Sequence, residues 1–438
     1  MIRPMATNPI PQFPAGFLWG VSTSAHQIEG AADLRAPSVW DAFTAEPGRV
    51  KDGSTAAVAC DHYHRYREDV ALLADLGVDA YRFSVSWPRV DSPGGLDFYD
   101  RLVDELCAAG IRPVATLFHW DLPVGLDWLR RETAERFAQY TATVAARLGD
   151  RVGSWLTLNE PAEHTLLGHA LGAHAPGRQL LFDALPAAHH QLLAHGLAVR
   201  ALRAAGATDI GIANSHGPTW PASHAAEDLE AAAFYDILLN RLFADPLLLG
   251  RYPEGIDALM PGDVEADLKV IAEPIDRYGV NYYAPTRVGA PQGDEIEFGG
   301  LTLPAELPFS VREIEDRPVT DFGWPVVPEG LTELLTGLRD RYGDRLPPVV
   351  ITENGCSYQG LDDQDRIGYL DGHIRALHDA LAAGVDVRGY FVWSLLDNFE
   401  WAEGYARRFG LVHVDFATLE RTPKASYGWF REVLRAQR

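Results

Sequence analysis

Short apolar runs rich in β-branched and aromatic residues alternate along this chain with longer stretches whose apolar positions recur at helical spacing. Eight short runs stand out: Phe17–Ala25, Ala80–Trp87, Arg112–Trp120, Ser154–Glu160, Asp209–His216, Tyr278–Pro285, Pro347–Gly355 and Arg388–Asn398. Each reads as a buried strand ending in polar or aromatic residues. The helical spacing predicts helices over Tyr63–Leu76, Phe98–Ala109, Thr133–Leu148, Leu185–Ala204, Glu227–Phe243, Gly330–Tyr342 and Ile367–Ala383. Strands alternating with helices pair in parallel through right-handed crossovers, and eight such units close a barrel. The predicted class is α/β, a single (β/α)8 TIM barrel with its active site at the C-terminal face of the strands.

Length fits this reading, because one elaborated barrel accommodates the 438 residues that could otherwise make about three domains. No linker, charge block or repeat divides residues 1–438, so they read as one catalytic domain preceded by a tail over residues 1–12. Pro291–Phe322 is poorly patterned, rich in Gly, Pro and Glu, and predicts a long loop over the active-site face.

Charge narrows the partners. With 38 basic and 61 acidic residues the net charge is −23, which disfavours nucleic acid and anionic membrane surfaces. Cys60, Cys107 and Cys356 are odd in number and widely spaced, matching neither a disulfide framework nor a zinc site. No signal-peptide core precedes Phe17 and no apolar run reaches membrane-spanning length, so a cytoplasmic protein is expected.

Catalytic groups of such a barrel sit at the C-terminal ends of its strands. Reading those ends in order gives Gln27, Arg82, Trp87, His119, Trp120, Asn159, Glu160, Asn214, His216, Asn281, Tyr283, Glu353 and Trp393, with Glu400 and Trp401 in the last loop. Glu160 and Glu353 each follow an apolar strand directly, so both carboxyls are expected in one crater. Two carboxyls in a partly dry site do not ionise independently, and one holds its proton near neutral pH. Such a pair suits glycosidic bond cleavage, one group protonating the leaving oxygen while the other attacks or activates water. Trp120, Trp324, Trp393 and Trp401 offer flat faces to a sugar, whereas Trp19, Trp40, Trp155 and Trp429 read as core. His62 and His64 point to different helix faces, and HExxH, Walker A and GxGxxG motifs are absent, so neither a metal nor an organic cofactor is expected.

The order of several motifs then resembles one family. They are Gln27-Ile28-Glu29-Gly30-Ala31, the run Tyr81 to Arg89, the run Thr116 to Pro123, Thr157-Leu158-Asn159-Glu160-Pro161, Gly279-Val280-Asn281-Tyr282-Tyr283, Ile351-Thr352-Glu353-Asn354-Gly355 and the run Ser394 to Trp401. From Phe13 to about Leu434 the chain resembles the retaining β-glycosidases of glycoside hydrolase family 1. The resemblance implies Glu160 as acid/base and Glu353 as nucleophile, with Arg82, Asn281 and Tyr283 completing the catalytic set. It implies Gln27, His119, Asn159, Glu400 and Trp401 on the hydroxyls of the terminal sugar, Trp393 beneath it, and Trp120 and Trp324 as further substrate contacts.

The resemblance thus implies an exo-β-glycosidase releasing β-glucosyl residues, with galactosyl or fucosyl tolerance, acting on a small-molecule β-glycoside. The alternatives are a transglycosidase or biosynthetic glycosyl transferase using the same Glu pair and, further off, a non-catalytic sugar-binding protein. Glu400 and Glu403 in the last loop predict an unphosphorylated sugar. Against the family pattern, His26 replaces a Tyr, Ala162-Glu163 replaces a pair such as Trp-Cys, and Val90–Leu96, Val124–Trp128 and Tyr358–Asp365 are short. The trimmed segments and the small Ala162 predict an open leaving-group side that accepts bulky or non-sugar aglycones.

Overall fold

The computed structural model describes residues 9–298 and 301–438; most of the expected tail and two residues of the expected long loop lie outside them. Eight strands form a closed, all-parallel barrel: β1 (Leu18–Ser22), β2 (Ala80–Ser84), β3 (Arg112–Phe118), β4 (Ser154–Asn159), β5 (Ile210–Ser215), β7 (Arg277–Asn281), β12 (Val349–Asn354) and β13 (Val387–Trp393). Each overlaps one of the eight apolar runs, because strands covered by helices outside and packed inside are apolar on both faces. Three further strands, β6 (Thr219–Pro221), β8 (Thr286–Gly289) and β11 (Ser310–Arg312), make a small sheet in the order β11-β8-β6. The antiparallel pair β9 (Ile296–Phe298) and β10 (Leu301–Leu303) precedes β11, and β14 (Val412–Val414) pairs with β15 (Arg421–Pro423).

The barrel floor is a plug of Ala80, Val114, Leu156, Ala213, Val350 and Phe391, each from a different strand, with Leu18 of β1 packed against it. Gly20 makes room for this plug, since a Cβ there would lie 2.3 Å from the Phe391 ring. Side chains alternate along a strand, so Arg82 and Thr116, two residues after Ala80 and Val114, stand directly above the plug. The plug closes the lower end, and the polar strand termini collect above it.

The predicted helices are present with modest changes of boundary. The stretch predicted as Glu227–Phe243 is an α-helix over Ala226–Asp236, a π turn over Ile237–Arg241 and a second α-helix over Leu242–Leu249. A further helix, Ala425–Ala436, follows β15 and is not among those the periodicity predicts. Trp87 is not in a strand: β2 ends at Ser84, and Trp87 opens the short helix Trp87–Val90, its ring stacked 4.9 Å from Tyr140. The segment Pro291–Phe322 is also more than loop, since it carries β9, β10 and β11.

Candidate active site

The C-terminal ends of β4 and β12 depart from regular pairing. Register shifts fall between Leu156 and Asn159 against β5, and between Ile351 and Glu353 against β7. Such irregularities re-aim side chains at strand ends, and here they accompany Asn159, Glu160 and Glu353 into one buried network. Glu160 itself has φ 46°, in the left-handed region, and Pro161 starts the next helical turn immediately after it. Trp120 and Trp401 also have positive φ, 74° and 50°, so unusual backbone concentrates at this crater.

Arg82 is the hub. Its guanidinium donates to Glu353 Oε1 at 2.6 Å, to Asn159 Oδ1 at 2.6 Å, to Thr116 Oγ1 at 3.1 Å and to the Thr352 carbonyl at 3.0 Å. The second Glu353 oxygen, Oε2, accepts from the Tyr283 hydroxyl at 2.7 Å. Asn281 Nδ2 donates to Glu160 Oε1 at 2.9 Å and to Asn159 Oδ1 at 3.0 Å, while its Oδ1 accepts from Thr352 Oγ1 at 2.6 Å. Since Asn159 Oδ1 accepts from both Arg82 and Asn281, its amide nitrogen faces Glu160 Oε2 at 3.3 Å and His119 Nε2 at 3.2 Å.

These contacts separate the two carboxyls chemically. Burial raises Glu160 well above the ordinary range, and the charges of Glu353 and Glu163 push it further. Burial raises Glu353 too, but the Arg82 charge and the Tyr283 and Arg82 hydrogen bonds oppose the rise. Glu160 therefore holds the shared proton, and Glu353 carries the charge. His119, lowered by burial and by Arg82, is neutral. Its Nε2 accepts from Asn159, which leaves the proton on Nδ1, a buried donor with no protein partner among the described residues.

A cavity of about 570 Å³ opens over this network. His119, Trp120, Glu160, Tyr283, Trp324, Glu353, Trp393, Glu400 and Trp401 line it. Gln27, Arg82, Asn159 and Asn281 are buried behind that surface; Gln27 Nε2 reaches Glu400 Oε2 at 3.4 Å and is otherwise held by Asn398 and the Phe399 carbonyl. Burial, reinforced by the charges of Glu353 and Glu403, pushes Glu400 up to about 8. Trp401 packs 4.5 Å from Trp40 and 4.8 Å from Trp120, and the substituted His26 stacks on it at 5.8 Å. Trp324 stacks on Phe322 at 4.3 Å and meets Tyr283 edge-on at 5.3 Å.

Several expectations change. His216 lines the cavity, but its ring nitrogens are taken by Asn240 and Tyr278, and Asn214 likewise donates to Tyr278. Ala162 is packed in the core and is not among the residues that line the cavity, whereas Glu163, the next residue, lines it. The three short segments contribute no residue to the cavity wall. Glu403 is paired with Lys51 at 2.5 Å and Arg407 at 3.1 Å, whereas Glu400 has no cationic partner among the described residues. Residues that the strand-end reading passes over include Thr116 and Thr352, which fix Arg82 and Asn281, and Phe322 and Phe409, which lie in stretches without a motif. No helix among the described residues is long and apolar enough to cross a membrane.

An ionised carboxylate held by two donors, opposite a carboxyl that keeps its proton, can attack an electrophilic carbon while the partner protonates a departing oxygen. The family model described as Glycosyl hydrolase family 1 matches residues 10–438. The chain is 43% identical to β-glucosidase A of Acetivibrio thermocellus, over 97% of this chain and 98% of that one. It is 46% identical to thermostable β-glucosidase B of Thermobispora bispora, over 97% and 90% respectively. The crystal structure of psychrophilic β-glucosidase BglU from Micrococcus antarcticus superposes with a TM-score of 0.93 at 44% identity, covering 99% of this chain and 100% of that one.

Proposed function

The chain belongs to glycosyl hydrolase family 1, and from that premise we propose that it is a retaining exo-β-glucosidase working by double displacement. Glu353 attacks the anomeric carbon while Glu160 gives its proton to the leaving oxygen. A glycosyl ester forms on Glu353; Glu160, now ionised, takes a proton from water, and that water releases the sugar. The observation that carries this reading is the unequal support of the two carboxyls, with Arg82 and Tyr283 on Glu353 and the neutral amides of Asn281 and Asn159 on Glu160.

His119 Nδ1 and Glu400 act on the hydroxyls of the glycone, with Gln27 behind Glu400 and Asn159 behind His119 and Glu160 orienting them, and Trp393 and Trp401 on its ring faces. A contact that tightens as charge develops on the sugar lowers the barrier and not merely KM. Glu400 presents a carboxyl rather than a cation to the glycone, which favours an unphosphorylated sugar. Galactosyl and fucosyl residues are accepted at lower rates. The leaving-group side takes bulky or non-sugar aglycones, a reading supported by the apolar extension of the cavity beyond Glu160 and by the Phe322, Trp324 and Phe409 rings, rather than by Ala162.

An activated fluoro-substituted β-glucoside that forms the ester but resists its hydrolysis tests the scheme. Mass spectrometry should find the label on the peptide containing Glu353, with none in Glu353→Gln. A label on any other residue refutes the assignment.

A further inference from the structure

The cavity continues past Glu160 into an arm with an unusual wall. Two π turns, His164–Ala170 and Ile237–Arg241, flank it and contribute Leu166, Leu238 and Leu239, while Leu307 and Phe309 close the side beneath the small sheet. π turns occur mostly as local insertions in α-helices, frequently at functional sites. Into this arm, whose lining also includes Thr165, Ser215, Tyr235 and Thr286, projects one carboxyl, that of Glu163, in the helical turn that Glu160 opens. Its Oε1 accepts from Ser215 Oγ at 3.1 Å, and its Oε2 accepts no hydrogen bond among the described residues.

Glu163 also has no cationic partner among those residues. Arg82 serves Glu353, and the two cations at the cavity rim are engaged elsewhere, Lys51 with Glu403 and Arg49 with Glu46. The nearby imidazoles are neutral, since burial lowers His174 and His216 to about 4. A carboxyl in an apolar arm without a counter-charge is costly, and a cation arriving with the ligand relieves that cost.

We infer that Glu163 selects the aglycone, and that the arm takes a largely apolar leaving group bearing an ammonium group at the end remote from the glycosidic oxygen. This rests on the β-glucosidase reading above and narrows its substrate class. The Leu and Phe wall holds the hydrocarbon body, and Glu163 Oε2 holds the ammonium.

The test compares tyramine β-glucoside with p-ethylphenyl β-glucoside, whose phenol leaving groups differ chiefly by the amine. Wild type should prefer the amine by about tenfold in kcat/KM, mostly through KM, and added salt should erode the preference. In Glu163→Gln the ratio should fall to near one. A wild-type ratio near one, or a preference that survives Glu163→Gln, overturns the inference. Hydrolysis of p-ethylphenyl β-glucoside without amine preference would leave the β-glucosidase reading intact. Calorimetric binding of free tyramine against p-ethylphenol reads the same selectivity without catalysis, so it decides the matter even if neither glucoside is cleaved.

Discussion

Replacing Tyr283 by Phe removes one hydroxyl from the network and little volume. That hydroxyl donates to Glu353 Oε2 at 2.7 Å, and Arg82 remains on Oε1 at 2.6 Å. A hydrogen bond to a charged group contributes about 1.5–3 kcal/mol, which at about 1.4 kcal/mol per pH unit corresponds to a rise of about 1–2 units in the Glu353 pKa. On the proposed mechanism Glu353 must be ionised to attack, so activity is present above its pKa and lost below it. The acidic limb of kcat/KM should therefore move up by that amount while the basic limb, set by Glu160, stays. A second consequence concerns rate. The ester intermediate carries no charge on Glu353, and hydrolysis of the ester recreates it beside Tyr283, so the hydroxyl helps this step selectively. By the same energy, deglycosylation should slow about 10- to 100-fold, and the ester should accumulate. Stopped-flow with dinitrophenyl β-glucoside should show a larger burst and a lower steady state in Tyr283→Phe. An unmoved acidic limb together with a kcat within twofold of wild type would refute the assignment of charge to Glu353.

Glu160→Ala removes the proposed proton donor but leaves Glu353 and Arg82 in place, so its damage should follow the leaving group. Alkyl β-glucosides should lose activity by about 10³ or more and dinitrophenyl β-glucoside much less in the first step, and a uniform loss across a leaving-group series would count against the role. Gly355→Ala should cost activity without unfolding the barrel, because a Cβ there would lie 1.8 Å from the Trp393 carbonyl and must displace the end of β12 or of β13. Shifts of about 1 Å cost on the order of a hundredfold; kcat/KM, with circular dichroism as the fold control, measures this. Asp397 supports the last loop through Lys424 at 2.7 Å and the Gly410 amide at 2.9 Å. Burial alone would raise it, but His413, Lys424 and Arg408 hold it below the ordinary carboxyl range. Its contribution to stability is present above the unfolded pKa of about 3.9 and is lost as pH falls through the depressed folded value. Lys424→Met should cost about 3–5 kcal/mol near neutral pH; because it removes part of what holds Asp397 low, that deficit should shrink as pH falls, seen by calorimetry as a lower Tm with a shallower acid dependence.

The division between features legible along the chain and features hidden from it follows the range of the forces involved. Barrel strands and helices are specified by about five to twenty consecutive residues, each covering a neighbour the sequence already implies, so β12 is visible in the run Val349-Val350-Ile351 alone. The small sheet is different. β6, β8 and β11 are three or four residues each and exist by pairing between segments far apart in the chain, as when Thr219 faces Thr286. No local pattern encodes that pairing, and the arm it helps to wall is hidden from the sequence for the same reason. The site divides likewise. Which residues stand at the strand ends is legible, because a polar group terminating an apolar run is a local event. Which way each side chain turns depends on the register shifts at Leu156–Asn159 and Ile351–Glu353 and on the backbone of Glu160, where one residue of slippage exchanges the facing side chains. The pair Ala162-Glu163 is the sharpest instance. Both residues depart from the family pattern, and size alone assigns the opening role to the small one. The turn begun at Glu160 instead buries Ala162 and presents Glu163, so at this position the residue that reaches the cavity wall is the carboxyl and not the small side chain.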